Sequence, residues 1–396
     1  MTPEGWEHLS VEEALVATAR IGWKGLSKSD FTTIGPYLIT GMHFSNEGTV
    51  NWNECFRIPQ WRYDESPEVI VRANDVLLTK DGTIGKVAYV TTMPGPAALN
   101  SHLYLLRPRD GSLTPRFLYY VLQSSSFRQF VGLNATGSTI TGLPWKTFRK
   151  FTIEVPPLAE QRKIAAILSS VDDAIESTQA VIDQLSVVKK AMMAELLTRG
   201  LPGRHTEFKQ TEIGEVPEDW EVVLTGDVLA KLHVGLRFEK RTVSEHGTIP
   251  VLDQSQTGLL GFHNDKAGIG ASVLEPVVTF ANHTCAVRWM DQPFSVIQNV
   301  FPLRGSRGVT TRFLYYLLQT RLTPSGYKGH WPELVESHSV VPSMDEQSAI
   351  TGLLDSIEVR IASEVLVSRA LSATKSALMS VLLSGELRVT PNGPAP

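Results

Sequence analysis

Two stretches of this chain begin alike and then follow a helical pattern: VPPLAEQRKIAAILSSVDDAI at residues 155–175 and VPSMDEQSAITGLLDSIEVRI at residues 341–361. Both open with Val-Pro and place Glu-Gln five residues further on, and they lie 186 residues apart. A shared pattern at this distance indicates an internal duplication, which determines the fold more strongly than any local signal.

Further matches occur in the same order in both halves of the 396-residue chain. PEGWE at 3–7 corresponds to PEDWE at 217–221, TPRFLYYVLQ at 114–123 to TTRFLYYLLQ at 310–319, and MMAELL at 192–197 to LMSVLL at 378–383. Short β-rich runs such as VLLTK and KVAYV predict strands, and RFLYYVLQ predicts a helix. Each half therefore consists of a mixed globular part followed by a long helix.

The two long helical segments carry apolar residues at alternating steps of four and three. These residues are Ile164, Leu168, Val171, Ile175, Ile182 and Leu185 in the first segment, and Ile350, Leu354, Ile357, Ile361 and Leu371 in the second. A period of about 3.5 residues predicts a coiled coil, and we expect the helices to pair antiparallel. Antiparallel pairing is expected to place Lys189 opposite Glu364. The alternative is two separate amphipathic helices, each packed on its own globular part.

The duplication predicts an α+β fold: two similar mixed α/β domains separated by two long helices in an antiparallel coiled coil, a pseudo-two-fold internal repeat. The predicted boundaries are a globular domain at 1–156, a helix at 157–200, a second globular domain at 201–342 with a linker at 201–216, a second helix at 343–388 and a disordered tail at 389–396. At about 1.5 Å per residue, a helix of about 40 residues spans about 60 Å, which suits a spacer of fixed length.

Composition argues against several classes of protein. Charged residues make up 20% and hydrophobic residues 42%, which is typical of globular chains. Cys55 and Cys285 have no metal-ligand spacing and favour a reducing, cytoplasmic setting. No uninterrupted apolar stretch approaches the ~18–20 residues of a membrane span. The chain lacks GxGxxG, P-loop and HExxH patterns and the tetrapeptide of amino-methyltransferases, which favours a binding protein without catalytic residues, metal or cofactor of its own.

The net charge of −4 hides two basic segments. No acidic residue lies between Asp110 and Glu154 or between Asp291 and Glu333, and each window holds five basic residues. Both windows occupy the same part of the repeat, so we expect both to attract a polyanion, although chance depletion of acids gives the same pattern. The candidate DNA-binding residues are Lys80, Thr83, Lys86, Arg116, Arg128, Ser138, Thr139, Thr141, Lys146, Arg237, Arg241, Asn282, His283, Arg304, Arg307, Lys328 and His330.

Polar loops accompany these basic segments. TKDGTIGKV at 79–87 lacks the spacing of a nucleotide P-loop and is interpreted as a hairpin turn, with a phosphate-gripping loop as the alternative. NATGSTITGLPWK at 134–146 offers hydroxyls, glycine amides and a lysine, and its counterpart SGYKGHW at 325–331 is shorter. Trp145 and Trp331 align and are interpreted as packing anchors, with base stacking as the alternative.

These residues resemble the specificity subunits of type I restriction–modification enzymes. The resemblance is carried by VPPLAEQRKIAAILSSVDDAI, LLTKDGTIGKVAYV, the repeated Pro-x-x-Trp openings and the duplicated helix, and it covers nearly the whole chain. The second copy departs from the pattern, because it reads Pro-Ser-Met-Asp-Glu-Gln, keeping Glu346 and Gln347, and lacks the Gly-Thr-Ile-Gly-Lys loop.

The resemblance implies two target recognition domains, each reading one part of a split sequence in double-stranded DNA. The helices would set the gap of unread base pairs and dock two modification (methyltransferase) subunits, with Glu160, Gln161, Glu346 and Gln347 beside the apolar positions in the partner and coiled-coil set. Those subunits would bind S-adenosylmethionine, and restriction subunits that translocate DNA would add cleavage. This chain would recognise the target sequence, bind no cofactor and act in the cytoplasm without a membrane partner.

Three other interpretations remain. A standalone DNA methyltransferase or nuclease requires a cofactor pocket that no motif supplies. A coiled-coil scaffold without DNA specificity leaves the paired acid-free windows unexplained. An inactive or unpartnered recognition subunit has the same sequence features as an active one.

Overall fold

The computed structural model describes residues 3–20, 30–135, 142–326 and 328–389. Two compact units form: the first holds residues 1–180 and 365–396, and the second holds residues 181–364. The division falls inside the two long helices, so each unit contains part of both. The candidates Ser138, Thr139 and Thr141 lie outside the described residues, as does the predicted tail apart from Val389.

The globular part of the first unit is built on two main sheets. Its strands are β1 (Glu7–Ser10), β2 (Leu15–Thr18), β3 (Thr32–Ile39), β4 (Phe56–Arg57), β5 (Val76–Thr79), β6 (Val87–Tyr89), β7 (Ala97–Leu99), β8 (Leu103–Pro108) and β9 (Thr152–Val155). Its short helices are α1 (Val11–Ala14), α2 (Gln60–Asp64), α3 (Pro115–Gln123), α4 (Ser125–Asn134) and α5 (Trp145–Phe148). The sheet orders are β2-β8-β5-β6 and β4-β3-β7, and β3 runs parallel to β7. β1 pairs with β9, which joins the PEGWE opening to the strand before Val-Pro.

The second unit repeats this topology. Before its sheets, the hairpin β10 (Phe208–Thr211) and β11 (Gly214–Pro217) follows the first long helix. The other strands are β12 (Glu221–Leu224), β13 (Leu229–Lys231), β14 (Ile249–Leu252), β15 (Leu259–His263), β16 (Val277–Ala281), β17 (Val287–Met290), β18 (Ser295–Val296), β19 (Val300–Gly305) and β20 (His338–Val341). The sheet orders are β13-β19-β16-β17 and β15-β14-β18, with β14 parallel to β18 and β12 paired with β20. The predicted internal repeat is therefore present strand by strand.

The repeated RFLYY segment forms a helix in each unit, as predicted, and this helix covers the four-stranded sheet. Phe117 and Tyr120 of α3 are fully buried in one core with Leu78 and Leu106 of the sheet. In the second unit the helices are α7 (Thr311–Arg321) and α8 (Trp331–Glu336), and the aromatic residues of α7 occupy the equivalent core. A fully buried Phe or Tyr stabilises by about 2–3 kcal/mol relative to an exposed one, so this segment carries much of each core.

The two long helices form as predicted: α6 spans Leu158–Leu196 and α9 spans Met344–Leu383. In the first unit, Ile164 and Leu168 of α6 share a core with Met379 and Leu382 of α9. In the second unit, Met193 and Leu196 share a core with Ile350 and Leu354. The beginning of each helix thus packs against the end of the other inside one unit, which is antiparallel packing.

Between these cores, the stripe of predicted apolar positions is half-buried and not fully enclosed. This holds for Val171, Ile175, Ile182, Leu185, Ile357, Ile361 and Leu371. Ion pairs accompany the stripe: Asp172 Oδ1 lies 2.6 Å from Lys375 Nζ in the first unit, and Lys189 Nζ lies 2.6 Å from Glu358 Oε1 in the second. The prediction that Lys189 lies opposite Glu364 is wrong, because Glu364 pairs with Arg360 one turn away on its own helix. Sequence period fixes which face is apolar but not the axial register of the two helices.

α9 is, by length and composition only, apolar enough on average to cross a membrane. The same helix places Lys375 in its ion pair with Asp172 and ends in the buried residues Met379 and Leu382. Both ends of α9 therefore belong to packed protein cores.

Each long helix begins with a Glu-Gln pair that we call an anchor: Glu160-Gln161 is the first and Glu346-Gln347 is the second. In the first anchor, Glu160 is a buried hydrogen-bond acceptor. Glu160 is 4% exposed and accepts hydrogen bonds from Trp6 Nε1 at 3.2 Å, Arg388 Nε at 2.9 Å and Val389 N at 3.2 Å. Hydrogen bonds from Arg388, with those from Val389 and Trp6, hold the pKa of the Glu160 carboxyl below its ordinary value. The carboxylate therefore joins the Pro-x-x-Trp opening, the start of α6 and the segment after α9.

The second anchor, Glu346-Gln347, repeats this arrangement: it keeps the Trp donor of the Pro-x-x-Trp opening and replaces the other donors. Glu346 is 1% exposed and accepts from Trp220 Nε1 at 3.0 Å, His205 Nε2 at 2.8 Å and Leu201 N at 3.3 Å. Burial raises the pKa of the Glu346 carboxyl, but the hydrogen bonds from His205, Trp220 and Leu201 outweigh that effect and leave the pKa lowered. The linker predicted at 201–216 is therefore folded onto α9 and contains a hairpin.

The Gln of each anchor ties its helix to the loop before the RFLYY helix. Gln161 accepts from Thr114 N at 2.7 Å and donates to Ser112 O at 2.7 Å and Pro156 O at 2.8 Å, and Gln347 makes the equivalent three bonds. All four anchor side chains are buried, with Gln161 and Gln347 at 0% exposure. They hold each unit together and are not available to a partner subunit, which corrects that part of the prediction.

Candidate nucleic-acid interface

Three segments of the first unit meet at the end of β5 where the strand leaves the sheet. Lys80 N donates to His102 O at 2.9 Å, and Leu143 N donates to Lys80 O at 2.7 Å. Asp81 and Gly142 form an isolated β-bridge. A fourth segment, residues 40–43, follows β3, whose last residue Ile39 accepts at its carbonyl from Asn100 N at 3.0 Å. We call residues 40–43, 80–86, 100–102 and 142–146, with 142 as the first described residue of the last segment, the first loop surface. Its backbone is therefore cross-linked, and the candidates Lys80, Thr83, Lys86 and Lys146 lie on it.

The β5–β6 loop is a hairpin, which confirms the first interpretation of TKDGTIGKV. Thr79 Oγ1, which is buried, donates to Thr83 O at 2.6 Å and accepts from Lys86 N at 2.9 Å, so the loop closes over a side chain. Thr83 and Lys86 are exposed. In the described part of the chain no ion pair is found for the Lys86 ammonium, which leaves it available to a phosphate.

Lys80 is already paired inside the first loop surface. Its Nζ lies 2.6 Å from Asp81 Oδ2, and His102 Nδ1 lies 3.4 Å from the same oxygen. Lys146 on α5 is exposed beside this loop, and the neighbouring Trp145 packs on Tyr104 with ring centroids 6.3 Å apart. Both Lys146 and Thr83 are thus presented by packed elements, and Trp145 contributes to packing, as its first interpretation stated.

The equivalent strand ends of the second unit form a second loop surface, residues 253–258, 282–286, 297–299 and 328–331. Asn282 N donates to Asn299 O at 2.9 Å, His330 N donates to Asn282 O at 2.8 Å, and His283 Nδ1 lies 3.0 Å from Lys328 O. Trp331 N donates to Asn282 Oδ1 at 2.7 Å, so the Asn282 side chain is engaged in the fold. The sequence places the same cross-linked loops at the same strand ends in both units.

His330 is the candidate that the structure overturns. Its side chain is 0% exposed, and Nδ1 lies 3.2 Å from Glu333 Oε2 at the start of α8. A side chain without solvent contact cannot touch DNA in this conformation. Trp331 beside it packs on Phe301 with centroids 4.6 Å apart, which again favours a packing role.

The remaining basic candidates divide by position. Arg237 is exposed at the second loop surface, where its Nη1 donates to Ile297 O at 3.1 Å. Arg241 is exposed and pairs with a neighbouring acid, Glu239. Arg304 and Arg307 lie at the opposite end of the sheet, because Arg304 pairs with Glu275, which precedes β16, whereas Asn282 follows it. The structure does not bring those two arginines to the loop surface.

Arg116 and its counterpart Arg312 are half-buried against the long helices. Arg312 donates to Asp355 at 2.7 Å and Glu358 at 2.9 Å, both on α9, and lies 4.5 Å from the centre of the Trp289 ring. Arg116 lies 4.7 Å from the Tyr89 ring and donates to Ser169 of α6. The basic windows are therefore partly explained by helix attachment and not by DNA.

Burial raises the pKa of the tyrosines around these arginines. The pKa of Tyr119 is raised to about 12, and those of Tyr120 and Tyr316 also lie above the ordinary value. Tyr316 Oη donates to Asp355 Oδ1 at 2.6 Å, which holds the phenol in its neutral form. The raised pKa values of Tyr120 and Tyr316 thus accompany the attachment of the long helices.

A cleft of about 1240 Å³ lies in the first unit between the RFLYY helix and the long helices. Its lining mixes cations, among them the exposed Arg128, Arg116 and Lys375, with the acids Asp172 and Asp173. The opposite charges leave no net preference for a polyanion. Within the described ranges, no group of three or more His, Cys, Asp or Glu side chains is placed to bind a metal ion.

One loop was missed by the sequence analysis. The segment DQSQTG at 253–258 forms the tip of the β14–β15 hairpin in the second loop surface. The search followed basic residues, and this segment has none. A polar run ending in Gly between two β-rich runs was the available signal.

Comparison with known proteins agrees with this architecture. Residues 3–187 match the family described as the type I restriction modification DNA specificity domain. The type I restriction enzyme MjaVIII specificity subunit of Methanocaldococcus jannaschii is 27% identical over 353 residues, covering 81% of each chain. The putative MjaX specificity subunit of the same organism is 26% identical over 430 residues, covering 98% of this chain and 95% of that protein.

Solved structures show the same fold. The S subunit of the type I restriction–modification system from M. genitalium has a TM-score of 0.57 at 14% identity, covering 96% of both chains. A chain from a structural study of assembly and conformational transition of the type I R-M system also has a TM-score of 0.57, at 15% identity, covering 98% of this chain and 100% of that chain. Residues 3–187 therefore carry the type I restriction modification DNA specificity domain, and the chain as a whole is similar in sequence and fold to the specificity subunits of type I restriction–modification systems.

Proposed function

We propose that each unit reads one part of a split sequence in double-stranded DNA through its loop surface. The observation that carries this proposal is the repetition of the surface itself: equivalent strand ends present cross-linked polar loops in both units, while their exposed side chains differ. A shared scaffold with different exposed side chains suits two readers of different sequences. Phosphate contacts position such a reader, and base-edge contacts specify the sequence.

Exposed cations on these loops supply the positioning contacts. Lys86 and Lys146 lie in the first loop surface, and Lys328 and Arg237 lie in the second. Lys328 pairs with Glu333 at 3.2 Å, but both side chains are about half exposed, so the pair contributes little and can exchange for a phosphate. Because these exposed cations are few, we expect the isolated chain to bind DNA weakly at physiological salt.

The long helices provide the docking surface for two modification subunits. In the second unit, Val181 and Val187 of α6 and Leu353 and Val359 of α9 are exposed, with Val359 at 70%. Apolar residues on the outer side of a helix pair gain free energy when a partner covers them, at about 25 cal/mol per Å². The modification subunits would bring S-adenosylmethionine and the adenine methyl transfer, and restriction subunits would add DNA translocation and cleavage.

The chain itself acts as a non-catalytic DNA-recognition subunit. The buried acids Glu160 and Glu346 and the shifted tyrosines are committed to holding the helices, so these groups are engaged structurally. Cys55 and Cys285 are free thiols, which suits the reducing cytoplasm where the cell's DNA lies.

The deciding experiment is genome-wide mapping of methylated adenines in the source cell, with and without the gene for this chain. We expect a split motif with a fixed interior gap that disappears on deletion. Purified chain given S-adenosylmethionine and DNA alone should transfer no methyl group, and transfer by the chain alone would instead identify a standalone methyltransferase. A motif that survives deletion of the gene contradicts the proposal and leaves a scaffold role.

A further inference from the structure

The tip of the β14–β15 hairpin is a closed six-residue loop at the second loop surface. Leu252 pairs with Leu259, and Asp253 N donates to Gly258 O at 3.0 Å, which closes residues 253–258. Gly258 has φ +78°, and a Cβ there would overlap the Arg288 guanidinium. The positive φ favours glycine, and a side chain at this position would have to displace the arginine that contacts the loop.

Side chains from the adjacent loop fix the tip from below. Arg288 Nη1 donates to Asp253 O at 3.1 Å, and its Nη2 donates to Ser255 O. Thr284 Oγ1 donates to Gln254 O at 2.5 Å, and Gln254 Oε1 accepts from the backbone N of His283 at 3.0 Å. Burial lowers the pKa of Arg288 from its ordinary value, as expected for a cation enclosed by carbonyl groups. Three successive backbone carbonyls are thus held before any ligand arrives.

Gln256 stands at the apex of this fixed loop. Its side chain is exposed, whereas Ser255 Oγ is used internally, donating to Asp253 Oδ1 at 2.6 Å. Across the residues that the structure describes, no hydrogen bond or ion pair engages the Gln256 amide. The fold therefore presents one primary amide, with its donor and acceptor both unused, on a rigid two-stranded ribbon.

The major groove of B-DNA admits a two-stranded β-ribbon, and an Asn or Gln amide there pairs with adenine through N6 and N7. A preorganised loop loses little conformational freedom when it makes such a pair. The first loop surface has a different apex: Met42 follows β3 as the 253–258 loop follows β14 and is 70% exposed. A thioether cannot form the bidentate pair, so the two units differ at their apex in the chemistry they offer.

We propose that Gln256 is a specificity-determining residue of the second unit that reads an adenine in the major groove. This inference rests on the proposed function and adds the residue and the base. Loss of the amide should remove the preference for adenine at one position of one half-site and leave the other positions unchanged.

The test uses the complex of this chain with its cognate modification subunits, radiolabelled S-adenosylmethionine and duplexes randomised at each recognised position. Gln256→Ala should lower the preference for adenine at one position by about 5- to 150-fold, the range for one bidentate pair. The matched control is Gln292→Ala, also exposed, which follows β17 and lies at the opposite end of the sheet from residues 282–286. The control should keep the wild-type preference at every position.

Unchanged base preference in Gln256→Ala overturns the inference, as does a loss confined to a base other than adenine. If the variant complex does not methylate, competition binding with the same duplexes gives the base preference directly, and retention of the adenine preference again overturns it. A wild-type complex without a split target contradicts the proposed function instead, so the two failures are distinguishable.

Discussion

Replacing Glu346 by alanine should destabilise the second unit by about 3–5 kcal/mol, the range for removing one partner from a buried charged network. The carboxylate is 1% exposed and serves Trp220 Nε1, His205 Nε2 and Leu201 N. Each buried donor left without an acceptor costs about 1–3 kcal/mol. We expect the lower part of that range for each, because water can enter the space that the side chain vacates.

Two substitutions calibrate this value. Glu346→Gln keeps an acceptor for Trp220 but removes the charge that faces His205, so we expect a smaller loss of about 1–2 kcal/mol. Glu215→Ala removes an ion pair with Arg199 in which both side chains are about half exposed, and should cost less than about 1 kcal/mol.

The assay is native-state hydrogen exchange resolved to individual peptides, because a global unfolding signal would combine the two units. Protection of β12 and β20 in the second unit should fall by the predicted amount in Glu346→Ala, and protection of β1 and β9 should not. The reasoning is refuted if the second unit loses less than about 1 kcal/mol, or if both units lose protection equally.

Three further outcomes are expected. The pKa values of both anchor glutamates are lower in the folded state than their ordinary value of 4.5. Their contribution to the free energy of unfolding is therefore complete above pH 4.5 and is lost as the pH falls through the folded-state pKa values. Hydrogen exchange measured over an acid pH series should show this loss. In the same hydrogen-exchange assay, Arg312→Ala should destabilise the second unit by about 2–3 kcal/mol, more than Arg116→Ala destabilises the first, because Arg312 pairs with two carboxylates while the closest acid to Arg116 lies 4.0 Å away. Deleting one heptad from each helix, residues 178–184 and 363–369, preserves the apolar face and shortens each helix by about 10.5 Å. We therefore expect the gap in the methylated motif to shorten by about three base pairs. Sequencing that finds an unchanged gap would contradict the spacer role.

The duplication could be predicted from the sequence because whole segments repeat in the same order, and it correctly predicted the fold class and the long helices. The role of the Glu-Gln pair was not readable. Its partners, Trp6 and Arg388 for Glu160, are separated from it by 154 and 228 residues, and no local pattern reports contacts at such distances. Glu and Gln side chains at a helix start are ordinarily exposed, so the expectation of a partner-facing role followed the usual rule.

Charge counting located the candidate site only in part. It found the loops around Lys86 and Lys328, but it also selected Arg116, which attaches a helix, and His330, which is fully buried. A basic residue contributes to a DNA-binding surface only if the fold leaves its charge unpaired and exposed. Local composition predicts neither property. The same bias toward charge passed over Gln256, whose importance depends on an arginine 32 positions further along the chain.

The contact of Arg388 with Glu160 has a genetic consequence. Arg388 donates to Glu160 and also to Glu4 O at 2.8 Å, so a residue encoded after the second domain completes the domain encoded before it. A nonsense mutation at codon 388 would leave residues 1–387 unchanged, yet it would weaken the domain encoded earlier in the gene and spare the one encoded nearer the lesion. The phenotype to look for in such a mutant is loss of recognition of one half-site, with the other still discriminated.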